Sequence, residues 1–549
     1  MPLFLNDFGL ALGLRNPRRG TRKMQTEAKK KRARGSQDEL VSAMLEPGFY
    51  PKRPEKITHK ETHISHIFLT DDLVYKVKKA VRFSFLDYST LGKRRHFLNE
   101  ELRLNRRLAP SVYLAVMPIS FDATGWRLGG WSTPAEYTLV MRRLPDRRML
   151  PFLLDSGQLT PEMMRAVAEV LAPFHAGAEP VKKNAGLDYP SNVQKEWAEN
   201  LGELQPFFGT WIEEADFAAL QKFGAQFIDR HRDLFIRRIN DGWIRDVHGD
   251  LHCEHICFAP EGIQIFDCIE FSPQLRCCDL ASEIGFLLMD LEVRGGGTLV
   301  APFLTRYLEL LQDPDLRVLL PFYQCYRALV RGKVEALRST GPDSKAPRYF
   351  RYALRFTWSP LKPFLVIVCG LTGSGKSTLA RELGDRLGMP VINSDAMRKA
   401  IAGKPGRQAV PFNEGIYSAN MTKKTYAKMA REAEKQILEG KGVVLDATFG
   451  RKEHRELIVR LAQKHKVPLL LIHCWASEET TEKRLDRRAL EGKDLSDGRW
   501  EIYSAQKAAY QPIEEIPLES YLELSTDAPV AQLSRASERF LRSRLSKAE

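Results

Sequence analysis

The sequence predicts two folded domains: an N-terminal α+β domain of two lobes, one strand-rich and one mostly helical, and a C-terminal α/β domain built on a doubly wound parallel sheet. Three observations carry this prediction. The chain has 549 residues, more than a single hydrophobic core usually organises. From residue 363 onward helical stretches alternate with short apolar runs at Phe364–Cys369, Pro390–Asn393, Gly442–Asp446, Leu469–Trp475 and Tyr521–Ser525, the pattern of parallel strands joined by helices on both faces. Between the halves, Ser339 to Pro347 is polar, turn-rich and without period, which marks a linker. The expected divisions are a basic, disordered tail over 1–45, an N-terminal domain over 46–340, a linker over 341–362 and a C-terminal domain over 363–549.

Composition narrows the class. Hydrophobic residues make up 43% and charged residues 28%, and no apolar run reaches the roughly 18 residues that a membrane span needs. A membrane protein is not expected. The net charge of +14 is unevenly placed: residues 1–36 hold ten Lys or Arg against Asp7 and Glu27, leaving +6 for the rest. The run Lys29-Lys30-Lys31-Arg32 either touches nucleic acid or an anionic surface or, the reading favoured here, is a solvated tail. Met24 is an alternative start, and the apolar patch Leu3–Leu14 precedes its arginines, the reverse of a signal peptide. The eight cysteines form no evenly spaced disulfide framework, so reduced thiols in a cytoplasm are expected.

In the C-terminal half the apolar run ending at Cys369 feeds into Gly370-Leu371-Thr372-Gly373-Ser374-Gly375-Lys376-Ser377-Thr378, a strand-to-helix G-x-x-x-x-G-K-[ST] motif. Its glycines let backbone N–H groups surround phosphate oxygens at a helix N-terminus. Lys376 is expected to reach the β- and γ-phosphates of ATP, and the Ser377 hydroxyl to bind magnesium. Asp395 and Arg398, one helical turn apart at the end of the next strand, suit a base and an acceptor contact. The alternative is that Asp395 merely caps a helix with Arg398 exposed. Asp446 ends a further strand, where a carboxylate holds magnesium. Arg484, Arg487 and Arg488 fall on one helical face, as a nucleotide lid or as a solvated row. In this order the features resemble the small P-loop kinases that include polynucleotide 5′-kinase, chloramphenicol phosphotransferase and zeta-toxin-like enzymes. The likeness extends to Leu445-Asp446-Ala447-Thr448-Phe449 with Arg451 and Arg455. It implies ATP and magnesium, with Asp395 as base and a small-molecule or nucleotide-type acceptor.

In the N-terminal half the island Val247-His248-Gly249-Asp250-Leu251-His252-Cys253-Glu254-His255 is followed 17 residues after Asp250 by Asp267, at the end of a strand. A loop carboxylate followed by a strand-end carboxylate resembles the aminoglycoside phosphotransferase family, a protein-kinase-like fold. The resemblance implies Asp250 as catalytic base and Asp267 as metal ligand. Leu73-Val74-Tyr75-Lys76 parallels the kinase nucleotide-binding lysine strand, with Glu101 as partner to Lys76 and Lys78 as an alternative. Phe83–Tyr88, Ile269–Pro273, Asp279 and Met289–Glu292 add likeness to bacterial proteins that fuse such a domain to a P-loop domain of the AAA family. One position departs: where the family holds its second magnesium with Asn, this chain has His255, and imidazole is a poorer ligand for that ion. A rival reading takes His252, Cys253, His255 and Cys257 as a zinc site, against which stands their tight spacing, since neighbours along a strand point to opposite faces.

The leading expectation is a two-domain cytoplasmic phosphotransferase that moves the terminal phosphate of Mg-ATP to an acceptor in the C-terminal half. The N-terminal site is a second, degenerate or active, kinase-type site. The alternatives are a nucleotide-dependent regulatory protein with ATPase activity only, and a nucleic-acid end kinase. The acceptor and the oligomeric state are not fixed by the sequence.

Overall fold

The computed structural model describes residues 36–83, 86–123, 125–130, 133–181, 188–339, 341, 343–403, 415–491 and 499–546, with side chains omitted over 488–491. The basic run at 29–34 lies outside the described residues. The chain divides into two units, one ending at Ala353 and one beginning at Leu354.

The first unit opens with the helix Gln37–Met44, within the stretch expected to be a disordered tail. Ser36 and Glu39 form a reciprocal capping box at its start, and Leu40 and Met44 are buried against Phe68 and Tyr75. A six-stranded antiparallel sheet follows: β1 (Thr58–Glu61), β2 (Ser65–Leu69), β3 (Leu73–Lys78), β4 (Tyr113–Asp122), β5 (Gly125–Leu128) and β6 (Pro134–Arg142), in the order β1-β2-β3-β6-β4-β5. Strand alternation puts Lys76 and Lys78 on one face of β3 and Tyr75 and Val77 on the other, in the apolar cluster with Leu40. The helix Leu91–Asn105 starts at the Thr90 cap and turns Leu98, Glu101 and Leu104 inward.

The second lobe is mostly helical. Two antiparallel strand pairs frame its central loops, β7 (Ile244–Asp246) with β10 (Cys277–Asp279) and the hairpin β8 (Ile256–Ala259) with β9 (Gly262–Ile265). A buried cluster fixes this region: Arg238 donates to Asp279 at 2.5 Å and to Asp313 at 2.6 Å, with all three side chains fully buried. The stretch expected as linker carries the helix Ala346–Arg355, which buries Tyr349 and Phe350. The Tyr349 hydroxyl donates to Asp290 at 2.7 Å and the Tyr352 hydroxyl to Glu292 at 2.8 Å, so these residues belong to the first unit's packing.

The second unit is a five-stranded sheet, parallel throughout: β11 (Leu365–Cys369), β12 (Val391–Asn393), β13 (Val443–Asp446), β14 (Leu469–Trp475) and β15 (Tyr521–Ser525), in the order β12-β13-β11-β14-β15. Both faces are covered, which is why β11 reads as an unbroken apolar run rather than an alternation. Leu365, Ile367 and Cys369 pack against Met429, Ala433, Ile458 and Leu461 on one side. Val366 and Val368 pack against Leu379, Leu383, Leu533 and Leu541 on the other. Among the described residues all eight cysteines are free thiols, and no helix is long and apolar enough to cross a membrane.

Candidate functional sites in the two domains

In the second unit the chain leaves β11 at Cys369 and turns through Gly370 (φ +142°), Gly373 (φ +79°) and Gly375 (φ +78°) into the helix Lys376–Leu387. A Cβ on Gly370 would stand 2.1 Å from the Cys474 carbonyl oxygen, so backbone closeness as well as φ demands glycine there. The Lys376 ammonium folds back to the Leu371 carbonyl at 3.3 Å. Two oxygens of the loop, Thr372 Oγ1 and Ser374 Oγ, are buried without a protein partner.

At the carboxyl ends of β12 and β13 three side chains converge. Ser377 Oγ donates to Asp446 Oδ1 at 3.1 Å and Asn393 Nδ2 donates to Asp446 Oδ2 at 2.6 Å. A hydroxyl and a carboxylate oxygen in contact are the hard oxygen donors that magnesium prefers, so this pair fits the ion. Asn393 is also the cap of the helix Ser394–Ala402, accepting from the Ala396 N–H at 2.9 Å. The alternative in which Asp395 caps that helix and Arg398 is exposed is therefore set aside. Asp395 sits in the first turn, Arg398 Nη1 pairs with it at 2.8 Å, and the buried Arg398 guanidinium lies 4.6 Å from the Tyr417 ring centroid.

A cavity of about 400 Å³ joins these groups; Lys376, Asp395, Arg398, Lys423, Arg451 and His454 are among its walls. His454 stacks on Tyr426 at 3.9 Å, and burial brings its pKa down to about 4, so it is neutral at physiological pH. A second cavity of about 190 Å³ lies behind the loop, between Gly375, Thr378, Arg487, Thr526 and Leu533. The arginine row is divided by its surroundings. Arg484 donates to Thr526 O at 2.7 Å and Thr526 Oγ1 at 2.8 Å, and the Thr526 hydroxyl donates to Ser374 O at 2.8 Å. Arg484 thus buttresses the glycine loop from outside and lines the second cavity together with Arg487, while the Arg488 side chain lies outside those described. Arg455 is fully buried, donating to Phe449 O at 2.9 Å and Pro512 O at 2.6 Å and pairing with Glu515, a tie between loops rather than a cavity group. Sequence reasoning missed Asn393, Thr526 and Gln506, whose side chain accepts from the Thr372 N–H at 2.9 Å.

In the first unit the two lysines of β3 share one carboxylate. Lys76 Nζ reaches Glu101 Oε1 at 2.6 Å and Asp267 Oδ1 at 3.4 Å, while Lys78 Nζ reaches Glu101 Oε2 at 2.8 Å and Glu270 at 2.5 Å. All five groups are buried. Burial pushes the Asp267 carboxyl up more than Lys76 pulls it down; burial also pushes Glu101 up, but the two lysines outweigh it. Asp267 itself is held at φ +73°, in the left-handed region, where Tyr113 accepts its N–H at 3.1 Å.

The Asp250 loop is stitched by Glu283, which accepts the N–H groups of His248 (2.9 Å) and Gly249 (3.1 Å). His255 Nδ1 donates to the Asp250 carbonyl oxygen at 2.7 Å. Its other nitrogen is then the only ligand atom left, and a lone imidazole nitrogen does not suit the oxygen-seeking second magnesium, so the residues here do not fit that ion. The expectation that neighbours at 252–257 point to opposite faces fails for the histidines. Cys253–His255 is a single 3₁₀ turn, which sets residues three apart on one side, and the rings of His252 and His255 stand 3.9 Å apart. Asp250, His252 and His255 bring one donor atom each to within 4.8 Å of one another, and neither Cys253 nor Cys257 belongs to that cluster.

Against known proteins, residues 51–322 match the phosphotransferase enzyme family and residues 365–513 match an AAA domain. The two matches fall on the two units, a phosphotransferase-enzyme domain followed by a kinase-like P-loop domain. Over 442 residues it is 32% identical to the uncharacterized protein Rv2004c of Mycobacterium tuberculosis, covering 78% of this chain and 86% of that one. It belongs to the family of that protein, and in this chain a phosphotransferase-enzyme domain precedes an AAA-type P-loop domain. A protein of Schizosaccharomyces pombe named "Probable gluconokinase" is 27% identical over 144 residues, 24% of this chain and 70% of its own. Among solved structures, a choline/ethanolamine kinase family protein from Mesorhizobium loti covers 58% of this chain and 99% of its own, at 12% identity and a TM-score of 0.35.

Proposed function

We propose that the C-terminal domain transfers the terminal phosphate of Mg-ATP to a small hydroxyl-bearing acceptor held in the 400 Å³ cavity. The single observation that carries the reading is the continuity of that cavity from Lys376 and Ser377 of the glycine loop to Asp395 and Arg398. Donor-side and acceptor-side groups share one space, as in-line transfer requires.

In this reading the N–H groups of Gly373 to Thr378 and the Lys376 ammonium bind the phosphate oxygens, and Thr526 with Arg484 keeps the loop in shape. Ser377 and Asp446 would hold magnesium, which would supply neutralising charge for the transferred phosphate. Asp395 accepts the proton of the acceptor hydroxyl, the acceptor oxygen bonds to the γ-phosphorus, and the bond to the leaving ADP oxygen breaks. Arg398, fixed by Asp395 and by Tyr417, orients the acceptor or the transferring group. With Lys376 committed to the phosphates of ATP, Arg398, Lys423 and Arg451 still outnumber Asp395 and Glu453 around the cavity, and His454 is neutral, which favours an acceptor bearing a negative group.

The N-terminal domain offers a second nucleotide site, with Lys76, held in place by Glu101, on the phosphates, Asp267 as metal ligand and Asp250 as base. Calorimetric titration tests the C-terminal assignment. Lys376→Ala is expected to remove Mg-ATP binding to the glycine loop, and Asp395→Asn to retain it while abolishing transfer. Transfer surviving in Asp395→Asn removes Asp395 as the base.

A further inference from the structure

Asp250 Oδ1, His252 Nε2 and His255 Nε2 are among the buried polar atoms of the first unit that have no hydrogen-bond partner. They belong to the cluster whose ligand atoms lie within 4.8 Å of one another. We propose that Asp250, His252 and His255 form a binding site for a first-row transition-metal dication of the zinc, iron or cobalt type; with the ion bound, Asp250 is a ligand and no longer the base of the N-terminal site.

The donor chemistry sets the class of ion. Two imidazoles and one carboxylate suit borderline cations, whereas magnesium keeps to oxygen. His255 is prepared for this role, because its Nδ1–H is spent on the Asp250 carbonyl at 2.7 Å and its Nε2 therefore presents a lone pair. His252 Nε2 stands 3.6 Å from Asp250 Oδ2, close to the roughly 3–3.5 Å that separates two donors on one ion with bonds of about 2.0–2.2 Å. At present His252 Nδ1 accepts from the Glu254 N–H at 3.3 Å. Ligation through Nε2 moves the ring proton to Nδ1, on the side of Asp290 Oδ2 at 3.9 Å, and gives up that one bond; no proton is released.

The charges around the site leave room for a cation. Arg294 is matched by Asp290 at 2.9 Å and Glu254 at 2.6 Å, and Arg331 by Glu335 at 3.3 Å; the Arg331 charge favours the Asp250 carboxylate from a distance, but among the described residues no guanidinium forms an ion pair with it. Tight spacing disfavours a cluster along a strand, but the 3₁₀ turn at Cys253–His255 removes that objection for the two histidines while leaving Cys253 and Cys257 out.

The test uses the full chain, freed of metal by chelation and dialysis, then titrated with zinc or cobalt(II) and assayed by elemental mass spectrometry. About one equivalent of ion is expected, with a visible cobalt d–d spectrum and no thiolate charge-transfer band. His252→Ala and His255→Ala should each lower affinity at least about tenfold, and the double substitution Cys253→Ser with Cys257→Ser should leave it unchanged. Excess magnesium should not displace the ion. Far-ultraviolet circular dichroism and ATP binding at the glycine loop report whether each variant is folded. Wild-type chain that takes up less than about a tenth of an equivalent, a thiolate band, or binding that survives in folded His252→Ala or His255→Ala overturns the proposal.

Discussion

Replacing Thr526 by valine isolates the buttress of the glycine loop with little change of shape. The threonine is 2% exposed, and its hydroxyl both donates to Ser374 O at 2.8 Å and accepts from Arg484 Nη1 at 2.8 Å. Valine leaves one loop carbonyl without its donor and removes one charge-assisted bond. The guanidinium keeps the Thr526 carbonyl at 2.7 Å, so the loss sits toward the lower end of the usual range, about 2–3 kcal/mol. For a domain of about 150–250 residues this corresponds to a fall of roughly 4–12 °C in melting temperature. Because the carbonyl belongs to the phosphate-binding loop, ATP affinity should fall about tenfold as well, whereas Thr526→Ser should behave as wild type. Calorimetric melting with nucleotide titration of both variants measures the two effects. Wild-type melting and affinity in Thr526→Val, or equal damage from Thr526→Ser, refutes the buttress.

Lys78→Met strips both Glu101 and Glu270 of a fully buried cation and should cost about 3–5 kcal/mol in urea unfolding of the first unit. Burial pushes the Glu283 carboxyl up to about 7 from 4.5, so the folded state holds its proton in a window where the unfolded state has lost it. Its contribution to stability therefore declines as pH rises from about 4.5 to 7, and the stability of wild type relative to Glu283→Gln should fall between pH 5 and 7.5 in denaturant titrations. His454 is already neutral above about pH 4, so the pH profile of transfer should carry no limb near 6.5 that His454→Phe removes.

The sheet of the second unit was legible because β11, buried on both faces, had to be apolar at every position, and because the glycine loop needs glycine for φ and for closeness to Cys474. The pairing of Lys76 with Glu101 followed from the resemblance to the kinase lysine strand, but strand alternation puts Lys78 on the same face and could not separate it from Lys76. Glu101 accepts from both, and only Asp267 and Glu270 distinguish them. The helix Gln37–Met44 was hidden by its basic neighbours although Ser36 and Glu39 spell its capping box. The helix Ala346–Arg355 was hidden by the polar stretch that precedes it, while its tyrosines find Asp290 and Glu292 some 60 residues away. Thr526 and Gln506 lay beyond local pattern altogether, because their partners in the glycine loop are 152 and 134 residues distant in the chain.

Transfer of labelled phosphate from ATP to a panel of sugars, sugar acids, nucleotides and oligonucleotides, run in parallel on wild type, Asp395→Asn and Asp250→Asn, tests the central claim most directly. The account predicts a small anionic acceptor that wild type and Asp250→Asn label and Asp395→Asn does not. Label that persists in Asp395→Asn and vanishes in Asp250→Asn would place the chemistry in the other domain and contradict it.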